Sequence, residues 1–145
     1  MSKIIKNIVP ISMMAIEEDG CHLMIKALIN GHDANLLIDT GASRTVFDDE
    51  RILSFLDDQE FDFEINEKLS TGLGTSSMES KSVTIKEIRL GELEIKDYTA
   101  VVLEMSHVNE SYAKLGLPGI DGVLGGDLLE EYGVVIDYSA KELRF

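Results

Sequence analysis

Apolar and polar positions fall into short runs along most of the chain, and turn residues separate the runs. Ile8 to Ile16 reads as a first strand, closed by the turn pair Asp19-Gly20. Cys21 to Ile29 is rich in large apolar side chains and reads as a second strand. Asn30-Gly31 follows, a pair suited to a two-residue hairpin turn because both central positions need positive φ. Ala34 to Ile38 is the returning strand, and Val46-Phe47 a short strand beyond the next loop. Asp48 to Leu56 breaks the pattern: an acid at the start and Ile52, Leu53, Phe55 and Leu56 after it predict one or two helical turns. Phe61-Asp62-Phe63-Glu64-Ile65 alternates as a half-exposed strand does.

Further on, Ser82 to Leu90 and Leu93 to Glu104 predict a long hairpin turned at Gly91-Glu92. Ser106 is placed to cap a short helix over His107 to Leu115, which Gly116 and Pro118 stop. Val134 to Tyr138 and Glu142 to Phe145 predict a closing hairpin. The whole is an all-β chain with one or two short helices, and 145 residues suit a single domain spanning 1–145.

Composition narrows the classes. Thirteen basic residues against 27 acidic ones give a net charge of −14, which argues against binding nucleic acid through its phosphates and against an anionic membrane surface. The single Cys21 cannot form an intramolecular disulfide, so folding does not depend on an oxidising compartment. Pro10 and Ser12 interrupt the apolar stretch near the start, and Glu17-Glu18-Asp19 follow it without a small-residue cleavage site. The expectation is therefore a cytoplasmic protein with neither signal peptide nor membrane span. His22, His32 and His107 are scattered, and neighbours on a strand such as Cys21 and His22 point to opposite faces, so no metal or other cofactor is expected. There is no Gly-x-Ser-x-Gly elbow, and the glycine-rich Ser70 to Ser77 stretch lacks the Gly-Lys-Ser/Thr of a phosphate loop.

One stretch carries chemistry. Leu36-Leu37-Ile38 runs from a buried-strand pattern directly into Asp39-Thr40-Gly41-Ala42-Ser43. A strand that delivers an acid to the interior must neutralise it, pair it or use it. Far downstream, Val123-Leu124-Gly125 forms a second apolar run that ends on glycine, followed by Gly126-Asp127-Leu128-Leu129. Together these resemble the two signature segments of the aspartic proteases, specifically the retropepsin-like branch. The resemblance covers roughly Ile8 to the C-terminus, tightly at the two motifs and loosely between them.

The resemblance implies a closed retropepsin-like β-barrel. It implies that Val123-Leu124-Gly125 threads beside the Asp39 loop, that Asp127 to Tyr132 forms a short helix ending at Gly133, and that the glycine-rich stretch, with Leu73 and Gly74, forms a flap over a peptide or protein substrate. Asp39, Thr40 and Gly41 are then the catalytic triplet. Ala42, Ser43, Leu73, Gly74 and Val123 are the candidate substrate contacts. Only one Asp-Thr-Gly is present, since Asp121-Gly122 lacks the intervening hydroxyl. The implied enzyme is therefore a symmetric homodimer with one Asp39 from each subunit. Met1 to Lys6 and Phe145 are candidate interface segments. Two departures stand out: viral members carry an acid where Ser43 stands and an arginine where Gly126 stands, and here the pair is missing together. The competing reading is a dimeric peptide-binding module on the same fold that does not cut.

Overall fold

The computed structural model describes residues 7–15, 20–56, 64–66 and 80–145. Phe61 to Phe63 of the alternating stretch, the glycine-rich segment with Leu73 and Gly74, and Met1 to Lys6 lie outside the described residues.

Eleven strands appear among the described residues: β1 (Ile8–Pro10), β2 (Ser12–Ala15), β3 (Cys21–Ile29), β4 (His32–Ile38), β5 (Val46–Asp48), β6 (Glu64–Asn66), β7 (Ser80–Leu90), β8 (Leu93–Leu103), β9 (Gly122–Leu124), β10 (Val135–Asp137) and β11 (Glu142–Arg144). Two helices join them, α1 (Ser106–Lys114) and α2 (Gly126–Glu131). The larger sheet runs β2-β3-β4-β9-β5-β8-β7-β6, and β3 also pairs with β7 through Leu28 opposite Arg89 and Ile29 opposite Ile88. That extra pairing closes β3-β4-β9-β5-β8-β7 into a six-stranded barrel. Closure removes the free edges that an open sheet would expose. The fold class expected from the sequence is the one found.

The strand alternation explains what fills the barrel. On β4, Leu36 and Ile38 point into the main core while Leu37 faces the other way. Leu36, Ile25, Ile29, Phe47, Ile85, Ile88 and Leu124 are buried in that core. Leu37 packs with Met24, Val46, Met105, Tyr112, Ile120 and Val123 in a second, smaller cluster under α1. Both hairpin turns fall where the turn residues stand. Asn30 and Gly31 have φ of 49° and 83°, and Gly91 has φ of 61°.

Three local readings differ from the structure. Ile8 to Ile16 is not one strand: β1 pairs with β11 and β2 with β3. The break at Ile11 arises because its N–H is taken by the Lys141 carbonyl at 2.9 Å, at the point where the chain passes from one sheet to the other. The helix expected over Asp48 to Leu56 is a 3-10 turn over Arg51–Phe55. Ile52 and Phe55 are buried there while Leu53 is exposed, and that spacing of three suits three residues per turn. Asp48 still supports its start, accepting the Arg51 N–H at 3.0 Å. Finally, Ser106 does not cap α1. The N-cap is Met105, and the Ser106 hydroxyl bonds Glu104 instead.

The small sheet has order β1-β11-β10 and lies outside the barrel closure. Asn7 and Phe145 extend it by exchanging N–H to carbonyl bonds of 3.2 and 3.1 Å.

Candidate active site

Asp39 is the first residue past β4. The parallel pairing of β4 with β9 sets Leu37 beside Val123 and Ile38 beside Leu124, and it continues one step further as the Asp39 N–H donates to the Leu124 carbonyl at 3.1 Å. Beyond Asp39 the chain turns sharply. The Asp39 carbonyl accepts the Ala42 N–H at 3.1 Å, and Asp39 Oδ1 accepts the Gly41 N–H at 2.9 Å. A side chain at position 41 would bring its Cβ to 3.2 Å from that same carboxylate oxygen. Glycine at this position spares the carboxylate that crowding.

The second motif grips the loop from behind. The Gly126 N–H donates to the Ala42 carbonyl at 2.7 Å and the Asp127 N–H to the Ser43 carbonyl at 3.1 Å. Gly125 packs directly on the loop backbone: a Cβ there would lie 2.4 Å from the Arg44 carbonyl oxygen. Gly122 is equally constrained, with the Val46 carbonyl 2.7 Å from the position of a Cβ. No side chain fits in either place without moving backbone.

Asp127 closes the loop's far end. Its Oδ1 accepts the N–H and the hydroxyl of Thr45, both at 2.8 Å, and its Oδ2 accepts the Tyr98 hydroxyl. Thr45 is fully buried and its Oγ1 accepts the Gly125 N–H at 3.0 Å. Burial by itself would raise the Asp127 carboxyl. The bonds from Tyr98 and Thr45 outweigh that and hold it below the ordinary carboxylate value. Burial, together with the bond to Asp127, pushes the Tyr98 phenol well up. Another acid, the buried Asp121, fixes the entry to β9: its Oδ2 accepts the Asn35 N–H at 2.7 Å and its Oδ1 lies 3.2 Å from Arg51 Nη1, whereas Asp127 is half-buried.

The sequence-predicted residues separate into four groups. Asp39 and Thr40 are exposed and line a cleft of about 320 Å³ with His22, Leu37, Ile136 and Tyr138. The expectation that the chain buries Asp39 is therefore not met within one chain. Its strand ends at the barrel surface, and only neighbouring Ile38 is in the core. Gly41, Ala42 and Ser43 form the loop itself, with both carbonyls of Ala42 and Ser43 committed to the second motif. Val123 sits behind, half-buried against the smaller cluster. Leu73 and Gly74 lie outside the described residues. Among the described residues, no three His, Cys, Asp or Glu side chains converge as a metal would require, and no helix is long and apolar enough to cross a membrane.

Sequence reasoning missed Thr45, Tyr98 and Asp127. They are separated by 29 and 82 positions, so no local spacing links them.

Residues 25–128 match the family model described as aspartyl protease, and the chain belongs to that family. The matched span includes both Asp39-Thr40-Gly41 and Val123-Leu124-Gly125. Among solved structures, the chain is similar to a retropepsin-like aspartic protease from Rickettsia conorii, with 23% identity, a TM-score of 0.58, and coverage of 100% of this chain and 97% of that one. It also aligns with EIAV protease complexed with the inhibitor HBY-793 (19% identity, TM-score 0.49, 83% and 95% covered). A third alignment is with the retroviral protease-like domain of Ddi1 from Leishmania major (14% identity, TM-score 0.47, 81% and 82% covered). No curated protein matches the sequence.

Proposed function

We propose that the protein is an aspartic endopeptidase that works as a symmetric homodimer, each subunit contributing Asp39. The observation that carries this reading is the exposed Asp39 carboxylate, presented at the barrel surface beside a cleft and held by the Gly41 N–H. One carboxylate cannot serve as base and acid in the same step, and a second Asp-Thr-Gly is absent from the chain. A two-fold axis through the loop supplies the second acid from an identical subunit.

Two carboxylates a few ångströms apart share one proton, because both cannot ionise. The ionised Asp39 takes a proton from a water molecule as its oxygen attacks the peptide carbonyl carbon. The protonated Asp39 hydrogen-bonds the carbonyl oxygen, which gathers charge and is protonated as the tetrahedral species forms. The departing nitrogen then receives the proton taken from the water, the C–N bond breaks as one hydroxyl of the tetrahedral species returns its proton to the other Asp39, and the carboxylic acid and amine products leave the dyad with its single proton restored. Thr40 is assigned to the contact that locks the two loops across the axis. Ala42, Ser43, Leu73, Gly74 and Val123 are assigned to the groove that holds the peptide.

The test is cleavage of a mixed peptide library by wild type and by Asp39→Asn, at several protein concentrations and from about pH 3 to pH 7, where a carboxylate dyad titrates. Cuts that disappear in Asp39→Asn and whose specific rate falls on dilution are expected. A dimer that cuts nothing would overturn the catalytic reading in favour of a peptide-binding module.

A further inference from the structure

We infer that Asp127 is a positioning residue for Asp39: its carboxylate is a clamp that fixes the far end of the catalytic loop, and peptide cleavage depends on that clamp. The inference rests on the proteolytic reading above. Nothing in the Asp-Thr-Gly motif itself requires it.

The loop from Asp39 to Thr45 is anchored at both ends by different means. At the start, the β4–β9 ladder holds the Asp39 N–H on Leu124. At the end there is no ladder until β5 begins at Val46. Asp127 fills that role. Three donors converge on its two oxygens: the peptide N–H of Thr45, the hydroxyl of Thr45 and the hydroxyl of Tyr98. A carboxylate is the side chain suited to this, being an acceptor at every lone pair, and its bonds are strengthened by charge. The Thr45 hydroxyl, having donated to Asp127, accepts the Gly125 N–H in turn. The result is a closed circuit through the loop, β9, α2 and, by way of Tyr98, β8.

Among the described residues, this circuit and the two carbonyl contacts of Ala42 and Ser43 are the hydrogen bonds that hold the loop downstream of Gly41 to the rest of the barrel. Asp39 itself is exposed and carries just two bonds within its chain beyond the local turn, from its N–H to Leu124 and from Gly41 to its carboxylate. A dyad tolerates little displacement, since misplacing a reacting group by about 1 Å costs on the order of a hundredfold in rate. A loop freed at Thr45 therefore loses turnover before it loses substrate affinity.

The experiment compares Asp127→Ala, Asp127→Asn and Tyr98→Phe with wild type, in the full chain. Amide exchange is followed at Thr45, Gly125 and Gly126 without substrate. Values of kcat and KM are measured on a peptide that wild type cleaves from the library. In Asp127→Ala, exchange at those amides rises about tenfold or more. Its kcat falls by about ten- to a hundredfold, with KM within about threefold. Asp127→Asn keeps an oxygen for both Thr45 donors, so exchange stays near wild type and kcat recovers to within about fivefold, which a general loss of stability would not produce. Tyr98→Phe, which removes one donor of three, falls between. Should Asp127→Ala fail to fold, Tyr98→Phe carries the same expectation at smaller size. Unchanged exchange and unchanged kcat in either Asp127→Ala or Tyr98→Phe overturns the clamp. A wild type that cuts no peptide overturns the proteolytic reading instead, and the exchange data still decide whether Asp127 holds the loop.

Discussion

At the scale of single residues, the two acids near the loop live in opposite surroundings. Asp39 is exposed with one backbone N–H on its carboxylate, whereas Asp127 receives three donors from two other elements. That contrast has a measurable consequence for acid stability. The Asp127 carboxyl is held below its ordinary value of 3.8, so the folded state favours the ionised form. The stability it contributes is present above that value and is lost as pH falls through the lower value of the folded protein. Asp127→Asn has no such group. The difference in Tm between wild type and Asp127→Asn is therefore expected to narrow as pH is lowered from about 5 to about 2, a comparison that cancels contributions common to both proteins, such as Asp137 with Arg144. A gap that stays constant over this range would show that the ionised form of Asp127 is not preferred by the fold.

Among elements, β9 is the one on which the site depends most. It lies between β4 and β5, parallel to one and antiparallel to the other, and glycines stand at its start and just past its end. Both are there for space. Gly125→Ala would press a methyl against the Arg44 carbonyl, backbone against which no rotamer can relax. A loss of about 2–4 kcal/mol on chemical denaturation is expected, in the range of overpacked or strained buried positions. A loss under about 0.5 kcal/mol would mean the loop yields easily there. This element was legible in the sequence because its requirements are local: an apolar run, a glycine, a helix start. The long β7–β8 hairpin was legible for the same reason, and its cross-strand pairs Glu87 with Lys96 and Arg89 with Glu94 fall on register partners. The split between β1 and β2 was not legible, because it is decided by a carbonyl 130 positions away at Lys141 rather than by Ile11 or its neighbours. The Asp127 clamp was hidden likewise: its acid looked like the ordinary first-turn acid of a helix, and Thr45 and Tyr98 carry no mark of a shared partner.

For the whole molecule, charge bears on the proposed association. Each chain carries −14, and a symmetric pair brings two such charges together. Raising salt from about 0.01 M to about 0.15 M shortens the screening length from about 30 Å to about 8 Å, which weakens repulsion between surfaces more than it weakens contacts already buried. Sedimentation is expected to show the dimer tightening over that range, and association that weakens with salt would point to an interface built on opposite charges instead. The small sheet bears on the molecule in another way. Because Asn7 and Phe145 are paired neighbours flanking antiparallel strands, a hairpin loop of about two to five residues in place of residues 1–6 can join them and make residues 7–145 a ring. A ring can be cut elsewhere. At Gly116, an exposed turn residue with φ of 71° and no atoms crowding its Cα, the cut would disturb neither motif. In the permuted protein Val123-Leu124-Gly125 would be synthesised before Asp39-Thr40-Gly41. The order of the two motifs along the chain is thus an accident of where the ring is open, while their adjacency in space belongs to the barrel itself.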